Sequence, residues 1–113
     1  MPNALLTSKI FDAAERGDLA LLRKCLAASV PVDTPDVRKS PNGVPTKLTP
    51  LHWACRNGQT SAVGVLLEAG ASIAARDVFG REALRHAAAC GNPDAVRLIL
   101  TCLLYTSPSP RDS

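Results

Sequence analysis

A chain of 113 residues with a formal net charge of +3 and a pI near 8.9 holds one small domain and not two independent cores. Its basic residues are scattered, with only Arg23-Lys24 and Arg38-Lys39 adjoining, which excludes the concentrated stripe of a nucleic-acid binder. Aromatic residues are scarce, and an apolar set dominated by Ala and Leu suits closely packed helices better than a β sandwich.

The first segment with helical periodicity runs from Ser8 to Leu26, SKIFDAAERGDLALLRKCL. Ile10, Ala13 and Ala14, then Leu22, Cys25 and Leu26, stand at i, i+3, i+4 spacing on either side of Gly17. That pattern predicts two short amphipathic helices joined by a tight turn. The next stretch, Pro35 to Thr46 (PDVRKSPNGVPT), has the Pro and Asn-Gly chemistry of turns and loops. Within it Arg38-Lys39-Ser40-Pro41 has the form of a phosphorylation sequence, a match common by chance.

The second segment, Thr49 to Leu67, reads TPLHWACRNGQTSAVGVLL. Leu51, Ala54 and Cys55, then Val63, Leu66 and Leu67, repeat the pattern around Gly58. Thr49 suits an N-cap and Pro50 the first helical position. Gly64 falls mid-helix at a surface position, at about 0.5–1 kcal/mol relative to Ala. The third segment, Glu82 to Leu100 (EALRHAAACGNPDAVRLIL), places Leu84, Ala87 and Ala88, then Val96, Ile99 and Leu100, around Gly91. Asn92 and Pro93 suit the start of its second helix, and Asp94 favours the helix dipole. The turn glycines Gly17, Gly58 and Gly91 recur 41 and 33 residues apart.

The last residues break the pattern. Cys102 to Asp112 (CLLYTSPSPRD) is what the adapter of a transposase-based sequencing library encodes in one reading frame, with a Thr101 codon supplying its first base. The plainer alternative is a Ser/Pro-rich tail. On the adapter reading, 1–101 is the domain, 102–113 is an artefact tail, and the natural chain continues differently beyond Thr101.

TPLHWACRNG followed by VLLEAGASIAARD resembles an ankyrin repeat. Thr49-Pro50-Leu51-His52 matches that family's TPLH turn, Gly70-Ala71 its Gly-Ala after the second helix, and Asp77 to Gly80 its β-turn finger. The resemblance spans Ser8 to Thr101 and is strongest in the second segment. It implies an all-α, ankyrin-type α-solenoid of about three helix-turn-helix repeats with short β-turn fingers. The repeats would fall at about 8–35, 44–76 and 77–101, with a finger-loop insertion at 36–43. Glu82 to Arg85 replaces TPLH in the third repeat and should lose that turn's hydrogen bonds. Ser29 stands where Gly is expected, at a cost in left-handed backbone. The first repeat reads as an atypical terminal unit.

The resemblance makes His52 structural, bridging turns through both ring nitrogens. His86, with only Glu82 at ligand spacing, is weak as a metal site and is expected to face outward. Cys25, Cys55, Cys90 and Cys102 form no C-x-x-C pair. Cys25 and Cys55 read as core; Cys90 is expected exposed, with no basic neighbour to lower its pKa. Free thiols without a visible secretory signal or an apolar run of ~20 residues point to an intracellular, cytoplasmic or nuclear protein. Neither a phosphate loop nor a Ser/His/Asp arrangement is visible, so no catalytic, cofactor-binding or metal residue is assigned, and no enzyme activity is expected.

What remains is surface. The resemblance implies a protein partner bound on a concave face built from finger tips and outward first-helix positions. The helix positions are Asp12, Glu15 and Arg16, then Trp53, Arg56 and Asn57, then His86, Ala89 and Cys90. The finger positions are Thr46, Leu48, Val78, Phe79 and Arg81. Trp53, Arg56, Phe79, Arg81 and His86 are the expected partner-binding residues, because Trp and Arg are enriched among interface hot spots. The alternative for Trp53 is that its ring packs over the next repeat's first helix. Neither nucleic acid nor membrane is an expected partner. Self-association is expected through an apolar edge of Leu84, Val96, Ile99 and Leu100, left uncovered by any further repeat. The other reading of the whole is the substrate-recognition region of a larger enzyme, such as a kinase or ubiquitin ligase.

Overall fold

In the computed structural model the backbone is described for residues 2–36, 41–43 and 45–105, and side chains within that set for residues 7–102. Helices form in pairs: α1 (Pro2–Arg16) with α2 (Leu19–Ala27), α3 (Pro50–Arg56) with α4 (Thr60–Glu68), and α5 (Ala83–Ala89) with α6 (Pro93–Tyr105). First helices stack on first helices, α1 on α3 on α5, and second on second, α2 on α4 on α6. Among the described residues the one β interaction is an isolated antiparallel bridge between Arg76 and Glu82. The all-α solenoid expected from the sequence is the fold observed. Helix α1 starts well before Ser8, where the first repeat was expected to begin, and α6 runs past Thr101 to Tyr105.

Local chemistry sets the helix ends. Asp18 accepts a hydrogen bond from the Leu21 amide at 3.1 Å to start α2. Asn92 Oδ1 does the same for Ala95 at 3.3 Å in α6. Glu82 makes no such side-chain bond at the start of α5, the loss expected where TPLH is replaced. Ser29 is held at φ 71°, the left-handed conformation that costs a residue with a Cβ.

The core lies between the helix layers. Ile10, Ala13 and Ala14 of α1, Leu51, Ala54 and Cys55 of α3, and Ala83 and Ala87 of α5 are all buried. Alanine and cysteine at these positions let the first helices approach closely, so close packing rather than large side chains fills the space. Leu22, Val63, Leu66 and Ile99 complete the core from the second helices. The open edge is therefore smaller than expected. Ile99 is buried at 1% exposure, and Leu84 and Val96 are half-buried, because α6 packs on both α4 and α5. Leu100 and Ala88 are exposed beside a hollow of about 560 Å³ at the end of the stack.

His52 ties two repeats together. It is fully buried, and its Nδ1 accepts from the Thr49 amide at 3.1 Å and lies 2.7 Å from the Thr49 hydroxyl. An amide can only donate, so Nδ1 carries no proton and Nε2 carries it. Nε2 then donates to the Arg81 carbonyl at 2.9 Å, joining the α3 turn to the following finger. Gln59 makes the corresponding link backwards, its Nε2 donating to the Glu15 carbonyl at 3.0 Å. Thr60 and Asn92 join α4 to α6 through their side chains.

Two outcomes follow from these contacts. Gly17 has φ +73°, and a Cβ there would stand 2.6 Å from Gln59 Oε1. Gly91 has the same φ, with nothing within 4 Å of its Cβ position. Both alanine variants carry the left-handed strain of about 1–2 kcal/mol. Gly17→Ala also displaces a side chain that is hydrogen-bonded to the neighbouring repeat. Urea denaturation should therefore show Gly17→Ala less stable than Gly91→Ala by about 1 kcal/mol; equal losses would contradict the close approach.

Burial holds the pKa of His52 below its usual value, against an opposing hydrogen bond from Nε2 to the Arg81 carbonyl. The unfolded chain then takes up a proton near pH 6.5 that the folded chain refuses. This residue's contribution is fully present above that pH and is lost as pH falls below it. By ¹⁵N NMR, His52 should titrate below the free-imidazole value near 6.5, as the neutral Nε2–H tautomer above its transition, while the denaturation midpoint falls as pH drops below that value. A His52 that titrates above the free-imidazole value would contradict the assignment.

Candidate functional site

The fingers stand beside the first helices, and buried carboxylates hold them there. Trp53 Nε1 donates to Asp36 Oδ2 at 3.1 Å. One repeat later, His86 Nε2 meets Asp77 Oδ2 at 3.0 Å. Trp53 and His86 occupy the same place in their repeats, and so do Asp36 and Asp77. The partners are 17 residues apart in the first case and 9 in the second; the difference is the finger insertion. Two different aromatic rings thus supply the same N–H to the same carboxylate position.

Asp77 is buried too, and its Oδ1 accepts from the Phe79 and Arg81 amides at 2.9 Å each. Burial pushes its carboxyl pKa up, but the Arg81 amide, His86, the Phe79 amide and the Arg81 charge together bring it below the usual value. The Arg81 Nε stands 3.4 Å from Asp77 Oδ2. That is ion-pair range, although this enclosed Nε makes no hydrogen bond. Neighbouring fingers are joined by the Val78 amide, which donates to the Thr46 carbonyl at 2.9 Å. The inserted finger is closed at its base by two backbone bonds, from Asp36 to the Leu48 carbonyl and from Lys47 to the Asp36 carbonyl.

Three of the expected partner-binding residues come together. Arg56, Phe79 and Arg81 line an open hollow of about 400 Å³ with Thr46 and Val78. Phe79 is 70% exposed, with the Arg81 guanidinium carbon 4.7 Å from its ring centroid. Arg56 is exposed, its guanidinium 5.7 Å from the Trp53 ring. A second hollow of about 260 Å³ shares Arg56 and Arg81 and extends along His86, Ala89 and Cys90.

The exposure expected of the other two needs correction. His86 does not face outward: it is 8% exposed, because Asp77 draws the ring inward and His52 packs edge-on against it at 5.2 Å. Trp53 is half-buried against the core rather than standing free, and its ring is tied to Asp36 by a hydrogen bond that the sequence did not suggest. Leu48 is likewise a core residue at 1% exposure and not a finger-tip contact. Arg38, Lys39 and Ser40 lie outside the described residues.

The thiols are placed for packing. Burial, with Cys90 adding to it, pushes the Cys55 pKa up to about 12, and burial also raises Cys25. The exposed Cys90 donates its thiol to the Cys55 carbonyl at 3.0 Å. Asp36 and Asp77 were missed by sequence reasoning. The signal was present in the matching Asp-to-ring pairs, but the insertion hid it by giving them unequal spacing.

A family model described as ankyrin repeats (3 copies) matches residues 10–111. Among curated proteins, the potassium channel GORK of Arabidopsis thaliana is 30% identical over 84 residues, covering 74% of this chain and 9% of the channel. A protein of Rickettsia bellii named as an ankyrin repeat protein is 56% identical over 39 residues, covering 34% of this chain and 16% of that protein. The chain thus spans only a small part of the length of these relatives.

Proposed function

The chain belongs to the ankyrin repeat family, and from that premise we propose that it binds a protein partner on the face formed by its finger tips and first helices. Ankyrin repeats are generally protein–protein interaction modules, and the family is typically non-catalytic. One observation carries the choice of face. Phe79 stands 70% exposed at a finger tip under the Arg81 guanidinium, opening on a hollow that Arg56 also lines. An exposed aromatic with stacked arginine is the composition of an interface anchor. Arg56, Phe79 and Arg81 are the contact residues on this reading; Trp53 and His86 support them from behind.

The second reading, a recognition region within a larger enzyme, has support for the larger size alone. The chain covers 9% and 16% of the two relatives, and one of these is named for a channel rather than for its repeats.

Phe79 is the informative probe, because Trp53→Ala would also leave buried Asp36 without its ring donor. Phe79→Ala should leave stability within about 0.5 kcal/mol of the parent. It should weaken partner binding by at least about 1 kcal/mol. A photo-crosslinking residue at position 79 should give discrete protein adducts in cells, and one at exposed Ser61 on α4 should not. Equal adduct formation at both positions would sink the assignment of the face.

A further inference from the structure

We propose that the partner segment held between the inserted finger and the finger of Asp77 to Arg81 is acidic, carrying Asp or Glu beside an aromatic or aliphatic residue. This rests on the concave-face reading above and adds the chemistry of what is bound.

The two hollows share Arg56 and Arg81, and among the described residues no Asp or Glu lines either. The nearby carboxylates are buried and engaged. Asp36, 3% exposed, accepts from the Trp53 ring. Asp77, 7% exposed, accepts from two amides and faces His86. Neither is available to an incoming cation. Among the described residues no carboxylate lies within ion-pair range of Arg56, whose recorded contact is the face of Trp53. Arg81 meets Asp77 through Nε, while its guanidinium carbon lies over Phe79.

Both guanidinium groups are thus steadied on aromatic faces at the border of the hollows, which lowers the entropy lost when they engage a ligand. A planar guanidinium takes a carboxylate through two parallel N–H bonds, a match that neither a neutral nor a basic side chain offers. Phe79 and Val78, at 70% and 39% exposure, supply apolar contact alongside. Two cations and an exposed aromatic, with no anion in the lining, complement an acidic-apolar segment and repel a basic one. A nucleic acid would draw on many phosphate contacts, which a net charge of +3 with scattered basic residues does not provide.

Selection of random peptides on phage against the full chain tests this. The enriched peptides should carry Asp or Glu next to Phe or Leu. Their affinity should fall at least about tenfold in Arg56→Glu, less in Arg56→Lys, and progressively with added salt. Arg56 is exposed, so the circular dichroism of both variants should match the parent. Neutral or basic peptides that still depend on Phe79 would overturn the acidic chemistry and leave the concave-face reading standing. Acidic peptides indifferent to both Arg56→Glu and Phe79→Ala would overturn both. Poly(U) bound through Arg56 more tightly than the acidic peptides would make the occupant a nucleic acid and overturn the proposal, as would a selection that enriches no peptide.

Discussion

The placement of both described fingers beside the first helices depends on a buried carboxylate, Asp36 in one and Asp77 in the other. A desolvated carboxylate needs several donors, and Asp77 gathers them from the backbone of Phe79 and Arg81 and from the His86 ring. Satisfying that one group folds the finger around it. The exposed side chain of Phe79 and the half-buried one of Arg81 therefore point where they do because their own amides serve a buried charge. Asp36 does the corresponding work with the Trp53 indole. The ring can be an indole or an imidazole because the carboxylate asks only for an N–H at the right distance.

His52 carries the second constraint, along the stack rather than across it. Its two nitrogens join the turn before α3 to the Arg81 carbonyl of the next finger. Arg81 is thereby held from two sides, through its amide by Asp77 and through its carbonyl by His52. That residue also lines both hollows. The hydrogen bonds that stabilise neighbouring repeats thus also fix a side chain of the candidate site, so stability and recognition are not separable there.

The helix pairs were legible in the sequence because i, i+3, i+4 spacing and the recurring turn glycines act locally. The role of His52 came with the resemblance of Thr49-Pro50-Leu51-His52 to the family's TPLH turn. Three side chains were misjudged for one reason: repeat position was taken to decide exposure. His86 occupies an outward position, but Asp77 pulls it in. Leu48 sits at a finger, yet its carbonyl accepts from the Asp36 amide and its side chain is buried. Ile99 lies at the last repeat, but α6 reaches both α4 and α5 and covers it. In each case a long-range partner overrode the local pattern, and periodicity holds no information about such partners.

The inserted finger between Asp36 and Thr46 shows what this frame permits. Its ends are pinned by the Asp36–Leu48 and Lys47–Asp36 backbone bonds and by the Trp53–Asp36 contact, so loop length is decoupled from the stack beneath. Doubling a closed loop costs only about 0.6 kcal/mol in closure entropy. The segment between these pinned ends is accordingly a place to graft foreign sequence beside the arginines and Phe79 while the helices below keep their register.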